Sequence, residues 1–337
     1  MTTFAVIGIE HLHVFELVNG LLEAGADDVA YAAGDGPLLE LYASRRTDAA
    51  RRDASQILTD PDVDLVVLAG VPADRAAVAT AALDAGKAVL SDKPGVTSHE
   101  QLDAVVGAAE RGGRRWWVLF SERFTNRAVI EAVRRAHDGE IGRVVDVVGL
   151  GPHSLMADAR PDWFWDADRA GGILVDIGSH QVDQFCAVVD PDVAHGISVT
   201  AASVGNVASP DHPRMQDVGR LELHGAGATG SHRVDYLTAA GLGTWGDGRL
   251  MITGTGGTLE VRTNVDPAGA DGGEHLIQVD ASGTHRIDCS GVTLDWADRL
   301  LADLAGGTDT FLSAAHVERV CRLTLDAQAR ATPWPHP

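Results

Sequence analysis

Two segments of the chain carry lysine, aspartate and histidine at positions suited to proton transfer. Lys93 lies in SDKPG (91–95), where an apolar strand pattern ends and a helical pattern follows. Asp176 and His180 lie four residues apart in GGILVDIGSHQVD (171–183), a spacing that places both on one face of a helix. Because an imidazole titrates near neutral pH and an ammonium group stabilises developing negative charge, these residues could hold a hydroxyl group and take its proton.

The turn after the first apolar run reads GIEHLH (8–13) and stands where a dinucleotide-binding fold places GxGxxG. Only Gly8 keeps that pattern, and Glu10 and His11 occupy positions where bare backbone is expected. Asp35 is the candidate for the acid that binds the adenosine ribose, with a simple turn aspartate as the alternative. The candidate cofactor-binding residues are Gly8, Ile9, Glu10, His11, Asp35, Pro72, Asp92 and Lys93.

Three histidines follow predicted strand ends and could face the same cleft as Asp176, namely His11, His13 and His153. Imidazoles with a carboxylate form a legitimate ligand set for zinc, iron or manganese. Hydrogen bonding within the turn explains the same histidines, and a lysine in the cleft repels a divalent cation. We therefore predict no catalytic metal, with metal-assisted chemistry as the alternative.

Aromatic and basic residues near these segments are candidates for substrate binding. RPDWFWD (160–166) holds three aromatic residues, which either stack on a sugar face or anchor a loop in the core. Single arginines either bind a hydroxyl or carboxylate group or lie solvated at the surface. The candidate substrate-binding residues are Arg123, His153, Arg160, Trp163, Trp165, Asp176 and His180.

The elements that must position these residues alternate regularly over the first 120 positions. Alanine-rich helical stretches such as 73–85 and 98–111 separate short apolar runs at 3–7, 29–33, 64–68, 87–90 and 116–119. This alternation predicts a doubly wound parallel sheet, the Rossmann architecture of the α/β class, with ligands bound at the carboxyl ends of its strands.

The second half of the chain has a different, α+β pattern. Helical patterns cover 126–137, the residues after Gly172, 295–305 and 313–330, and segments such as GRLELH (219–224) alternate polar with apolar residues. Period-two alternation predicts a half-exposed antiparallel sheet. We expect two domains, 1–120 and 121–337, with the helix at about 313–330 able to pack on either.

Composition excludes several classes of function. The 337 residues carry a formal net charge of −21, which repels nucleic-acid phosphates and anionic membrane surfaces. Three widely spaced cysteines fit a reducing compartment, and the N-terminal segment lacks a basic region before its apolar run. We expect a cytoplasmic protein that acts on a small molecule.

Several motifs together resemble one known family. AVIG (5–8), DKPG (92–95), SERF (121–124), GGILVDIGSHQVDQ (171–184) and ITGTGGTLE (252–260) are spaced as in the Gfo/Idh/MocA oxidoreductases, the glucose-fructose oxidoreductase and inositol dehydrogenase family. The resemblance covers nearly the whole chain, with a degenerate glycine-rich turn. The lysine of the family's EKP motif maps onto Lys93, and its DxGxH residues map onto Asp176 and His180.

The resemblance implies a Rossmann domain, a second α+β domain whose large, mostly antiparallel open sheet forms homodimers or homotetramers, and NAD or NADP as cofactor. It implies hydride transfer at a secondary carbinol of a sugar, polyol or related small molecule. His180 is then the general base, Lys93 binds the same oxygen and Asp176 orients the substrate. Asp35 favours NAD, because an acid near the ribose repels a 2′-phosphate. Redox-neutral lyase or epimerase chemistry and non-catalytic sugar binding remain as alternatives.

Overall fold

The computed structural model describes residues 2–334 and divides into two compact units. The first unit comprises residues 2–119, 168–171 and 295–322, and the second comprises 120–167, 172–294 and 323–334. The sequence predicts a single boundary at 120. In the structure the chain passes from the first unit to the second after Leu119, and the first unit also includes two later segments, one of which ends in the middle of the last helix.

The first unit is built on a parallel sheet of strand order β3-β2-β1-β4-β5-β6. The elements of residues 2–119 are β1 (Thr3–Ile9), α1 (Val14–Glu23), β2 (Asp27–Ala32), α2 (Pro37–Arg45), β3 (Ala50–Arg51), α3 (Ala54–Thr59), β4 (Leu65–Ala69), α4 (Pro72–Asp84), β5 (Ala88–Asp92), α5 (His99–Gly112) and β6 (Trp116–Leu119). Strands β4, β5 and β6 are buried at every position, because helices cover both faces of such a sheet. The predicted Rossmann fold is confirmed.

The strand order reverses between β1 and β4, which pair in parallel. In open α/β sheets the crevice outside the carboxyl ends of two such strands is the usual ligand-binding position. Gly8 and Gly70 stand at this reversal, at the ends of their strands. The sequence thus places its degenerate glycine turn where the fold binds ligands.

The second unit is built on a mostly antiparallel sheet of strand order β14-β13-β12-β11-β7-β10-β9-β8-β15, in which β7 pairs with β10 and β8 with β15 in parallel. Its strands are β7 (Val144–Pro152), β8 (Ile197–Gly205), β9 (Val218–Gly225), β10 (Ala228–Asp235), β11 (Arg249–Gly254), β12 (Gly257–Arg262), β13 (His275–Asp280), β14 (Gly283–Ile287) and β15 (Thr332–Pro333). This agrees with the predicted α+β architecture.

The remaining helices are α6 (Ser121–Phe124), α7 (Arg127–His137), α8 (Ala167–Ala170), α9 (Ile173–Asp176), α10 (Gly178–Val189), α11 (Trp296–Gly306) and α12 (Ala314–Arg330), and short 3-10 turns cover Ala157–Ala159, Asp162–Trp165 and Ala240–Leu242. Helix α10 packs on β7 and β10 and is buried along nearly its whole length. Because it lies against the sheet, its first turn is held in a fixed position.

One local prediction is wrong. The spacing of Asp176 and His180 predicts a single helix, but Asp176 ends α9 and His180 lies in the first turn of α10, with Ile177 between the two helices. The backbone N–H of His180 donates to the Ile177 carbonyl at 3.1 Å. The short i to i−3 bond marks a tightened turn at this junction.

The three cysteines are buried and none forms a disulfide. Among the described helices, none combines the length and the apolar character that a bilayer span requires.

Candidate active site

In the first unit, the glycines at the strand reversal leave the backbone of two strands in close approach. Gly8 has φ +84°, and a Cβ on it would lie 2.6 Å from the Gly70 Cα. Only glycine adopts this conformation without strain and with that clearance. The first glycine of the expected pattern therefore keeps its structural role.

A cleft of about 690 Å³ opens beside these glycines within the first unit, lined by residues that include Gly8, Glu10, Gly34, Gly70 and Arg75. This volume falls within the range of small-molecule and cofactor sites. Three glycines expose backbone to the cleft, which fits a nicotinamide dinucleotide bound along the strand ends.

The Glu10 carboxylate extends over the same three glycines. A Cβ at Gly70 would lie 3.3 Å from its Oε2, one at Gly8 would lie 3.2 Å from Oε2, and one at Gly34 would lie 3.7 Å from Oε1. Burial raises the pKa of Glu10, while interactions with neighbouring backbone amides, including that of Gly34, oppose the rise. The chain thus places an anion of its own inside the cleft.

Asp35, the candidate ribose ligand, lies on the surface. Its side chain is 91% exposed, and it accepts a hydrogen bond from Arg51 at 2.8 Å. Arg51 and Arg52 line the cleft, and Arg52 donates to Asp60 at 2.6 Å. The structure therefore brings Glu10 into the cleft and directs Asp35 to an arginine at its rim.

Three side chains contact the Asp92 carboxylate at the carboxyl end of β5. His11 Nδ1 lies 2.5 Å from its Oδ2, His13 Nδ1 lies 3.0 Å from its Oδ1, and Arg75 Nη2 donates to Oδ2 at 3.0 Å. Burial raises the pKa of Asp92, but its interactions with His11 and Arg75 outweigh this and hold the pKa well below the usual range. Burial lowers the pKa of His11 to about 4. At neutral pH the cluster therefore contains an ionised carboxylate and a neutral His11.

Lys93 lies close to this cluster, and Pro72 begins α4 in the same unit. Lys93 is 4% exposed, its carbonyl accepts Arg75 Nη1 at 2.7 Å, and its charge contributes to lowering the pKa of His11. Pro72 is buried in the first turn of α4, and Ile9 is the last residue of β1. The predicted cofactor-side residues other than Asp35 are thus buried or half-buried at one edge of the sheet.

In the second unit, the Asp176 carboxylate is held by a tyrosine. Tyr236 donates its hydroxyl to Asp176 Oδ2 at 2.6 Å. Burial and the neighbouring Asp176 raise the pKa of Tyr236 well above its ordinary value, so the phenol remains a donor. His180, four residues on, is 2% exposed.

Arg160 and His153 surround the same tyrosine. The Arg160 guanidinium lies over the Phe164 ring at 4.2 Å and over Tyr236 at 5.5 Å, and it donates to the Leu155 carbonyl at 2.8 Å. The His153 ring lies 6.2 Å from Tyr236, and its Nε2 lies 3.6 Å from Glu122 Oε1. Two of the predicted substrate residues are therefore grouped with Asp176.

Three other predicted substrate residues are committed to packing within the second unit. Arg123 forms a two-bond ion pair with buried Asp183, at 2.6 and 2.8 Å. Trp163 is only 8% exposed, and Trp165 stacks on His212 with ring centroids 3.8 Å apart. These contacts favour the loop-anchoring alternative for the aromatic segment over stacking on a sugar.

Sequence reasoning missed Arg75 and Tyr236. The sequence suggests that Arg75 is a solvated residue in an alanine-rich helix. In the structure it is only 2% exposed. Its only signal is its position three residues into a helix that begins with Pro72 at a strand end. Tyr236 stands one residue beyond β10 and sixty residues after Asp176, so no local pattern links the two.

Comparison with known proteins agrees with this geometry. Residues 37–120 match the family model described as an oxidoreductase family NAD-binding Rossmann fold, and residues 129–260 match the GFO/IDH/MocA C-terminal domain. A solved structure from Erwinia carotovora atroseptica SCRI1043, assigned to the oxidoreductases, is 35% identical, covers 99% of each chain and superposes with a TM-score of 0.95.

Curated relatives match over shorter stretches. Inositol 2-dehydrogenase 2 of Saccharopolyspora erythraea is 28% identical over 61% of this chain and 57% of its own length. Levoglucosan dehydrogenase of Pseudarthrobacter phenanthrenivorans is 30% identical over 44% of this chain and 39% of its own length. The matches thus span about half the length of these relatives. With both of its units matched, the chain belongs to the Gfo/Idh/MocA oxidoreductase family, as its motifs predict.

Proposed function

We propose that this protein is a nicotinamide-dependent dehydrogenase or reductase that transfers a hydride to or from a secondary carbinol of a sugar, polyol or related small molecule. The observation that carries the proposal is the glycine-lined cleft at the strand reversal of the first unit, in a segment that matches an NAD-binding Rossmann model. The two named relatives are dehydrogenases of inositol and levoglucosan, both of which are polyhydroxylated.

The first unit is the proposed cofactor-binding unit. Backbone at Gly8, Gly34 and Gly70 would contact the dinucleotide, and Lys93 is the proposed electrostatic group at the end of β5. When bound, the nicotinamide supplies the hydride chemistry that no side chain can perform. NAD is the proposed form, because Glu10 places a carboxylate in the cleft and Arg51 is already paired with Asp35.

The second unit is the proposed source of the general base. His180 is the proposed base, because histidine is the side chain that most often transfers protons in general acid–base catalysis. Asp176 is the proposed orienting group, and the Tyr236 hydroxyl holds one of its oxygens. Arg160 stands over the same tyrosine and is the proposed anchor for a substrate hydroxyl or carboxylate.

We also propose a cytoplasmic homodimer or homotetramer. The three buried free thiols fit a reducing compartment. The large sheet of the second unit leaves Met251 on β11 and Val279 on β13 exposed by 44% and 40%, and apolar side chains on an open sheet suit contact with a second copy.

The test is direct. Purified protein is scanned for the absorbance of bound nicotinamide, then titrated calorimetrically with NAD and with NADP, and then assayed for cofactor reduction with a panel of cyclic polyols and sugars. The proposal requires dinucleotide binding and at least one substrate that reduces it or is reduced by it. Dinucleotide binding with turnover of a substrate but no net redox change would favour lyase or epimerase chemistry. If the protein binds neither NAD nor NADP, the proposal is overturned.

A further inference from the structure

The first unit contains, besides the proposed dinucleotide cleft, a group of possible metal ligands around Asp92. Ligand atoms of His11, His13 and Asp92 all lie within 4.8 Å of one another. His11 and His13 lie in the turn after β1, and Asp92 closes β5. The fold therefore places two imidazoles beside one carboxylate.

The donor set is that of a transition-metal site. Two imidazole nitrogens and one carboxylate oxygen form the two-histidine, one-carboxylate ligand set that binds zinc, iron, manganese or cobalt and leaves other coordination positions open. Ligand atoms on one ion at bond lengths of about 2.0–2.2 Å lie roughly 3–4 Å apart. The His11–Asp92 and His13–Asp92 separations of 2.5 and 3.0 Å require only small side-chain shifts to reach that range.

The backbone that carries the imidazoles is fixed. The N–H groups of Glu10 and His11 both donate to the Ala69 carbonyl, at 3.1 and 2.9 Å, and the His13 carbonyl accepts from Leu17 at 3.1 Å in the first turn of α1. The His11 and His13 side chains are 16% and 33% exposed. The two ligands are thus preorganised and still reachable by an ion from solvent.

Arg75 positions the carboxylate. Its Nη2 binds Asp92 Oδ2, and its Nη1 and Nε donate to four backbone carbonyls, those of Gly70, Asp92, Lys93 and Pro94. A carboxylate ligand fixed by a second hydrogen-bonding group is the usual arrangement behind metal sites. The four carbonyl oxygens face the guanidinium and hold it in place beside the carboxylate.

We propose that His11, His13 and Asp92 bind one divalent first-row transition ion. This reverses the expectation of no metal, which rested on hydrogen bonding within the turn and on Lys93. The turn is now defined and brings the imidazoles onto a single carboxylate. The proposal concerns the first unit alone and does not depend on the proposed dehydrogenase activity.

The experiment uses the full chain, treated with a chelator, freed of it and kept without nucleotide. Calorimetric titration with Zn²⁺ is expected to show one tight site per chain, and Co²⁺ is expected to give visible absorption bands typical of nitrogen and oxygen ligation. His11→Ala and His13→Ala should each weaken binding by more than the roughly 10–100-fold that loss of an outer-shell partner costs. His224→Ala, which removes an exposed histidine from β9, is the matched control and should bind as the parent does.

Two outcomes would contradict the proposed metal site. If the parent binds neither ion, or if the double variant His11→Ala/His13→Ala binds as tightly as the parent, the cluster is a hydrogen-bonded group only and the proposal is overturned. The milder His13→Gln variant covers the case in which alanine disturbs the turn, because it keeps a polar side chain and should still lose the site. A separate NAD titration reports on the dehydrogenase proposal, so failure of one does not imply failure of the other.

Discussion

The turn after β1 and the α9–α10 segment differ in how closely they match the motifs of the family. The turn at residues 8–13 keeps one glycine of its expected pattern and fills the remaining space with Glu10 and two histidines. The segment at 173–189 keeps Asp176, Gly178 and His180 in the family spacing. The turn in the first unit departs from the glycine motif, and the segment that carries the proposed base matches the DxGxH motif.

The difference shows which constraints are local. A phosphate-binding turn depends on bare backbone, so one side chain such as that of Glu10 alters what the cleft holds. Asp176 depends on a partner from another element, Tyr236 beyond β10, and on a helix packed against the sheet. The second region is maintained by tertiary packing that no single turn residue controls.

The largest expected effect comes from the segment that carries Asp176 and His180. His180→Ala should lower kcat by about two to four orders of magnitude, the usual contribution of a general base. Steady-state kinetics on the substrate found by screening measures this, and thermal unfolding checks that the variant is folded. His224→Ala serves as the control. Full kcat in the folded His180→Ala variant would remove His180 from the mechanism and, with it, the difference in chemistry drawn between the two regions.

A second test concerns the support of α10. His232 on β10 is 1% exposed, lies 5.8 Å from Phe185 of α10 between ring centroids, and both of its ring nitrogens lack a hydrogen-bond partner among the described residues. Burial lowers its pKa to about 3. Because the unfolded chain takes up this proton first, the stability contribution is present above about pH 6.5 and is lost as pH falls toward 3.

The expected size follows from linkage. Between pH 7 and pH 5 the buried His232 should cost about 2 kcal/mol of unfolding free energy, at roughly 1.4 kcal/mol per pH unit below 6.5. In urea unfolding over the same pH range, the free energy of unfolding of His232→Leu should therefore fall by about 2 kcal/mol less than that of the parent. His224→Ala, which removes an exposed histidine, should follow the parent. Parallel curves for His232→Leu and the parent would show that His232 is not the group that makes this region sensitive to acid.

Tyr236→Phe should have a smaller effect on catalysis. Removing the hydroxyl leaves Asp176 Oδ2 without that donor and should lower kcat about tenfold, or about 1.4 kcal/mol, in line with the loss of one hydrogen bond to a charged group. The fold should be unaffected, since the ring keeps its contacts with Phe164 and Arg160. A drop in KM alone, with kcat unchanged, would contradict a positioning role for Tyr236.

The sequence predicts the architecture because both periodicities are local. Apolar runs of four or five residues alternating with helices predict the first unit, and period-two strands predict the second. The site is less accessible from sequence. The pairing of Asp92 with Arg75, and of Asp176 with Tyr236, arises from tertiary packing, and the break at Ile177 follows from the seating of α10 on its sheet. The role of Asp35 as a ribose ligand stays a prediction. Its position in a turn gives no indication of its ion pair with Arg51 at the surface.

The smallest expected effect sharpens the other half of the comparison. Glu10→Ala removes the carboxylate that extends over Gly8, Gly34 and Gly70 and should tighten NAD binding about fivefold, equivalent to about 1 kcal/mol for relief of one partly solvated charge repulsion. NADP, with one more phosphate, should gain at least as much. Glu16→Ala on α1 is the control, because it removes the same charge from the helix that follows the turn. Calorimetry of the six protein–dinucleotide pairs decides: equal affinity in the parent and Glu10→Ala would mean that the carboxylate moves aside at no cost, and weaker binding would mean that Glu10 itself holds the ribose in place of Asp35.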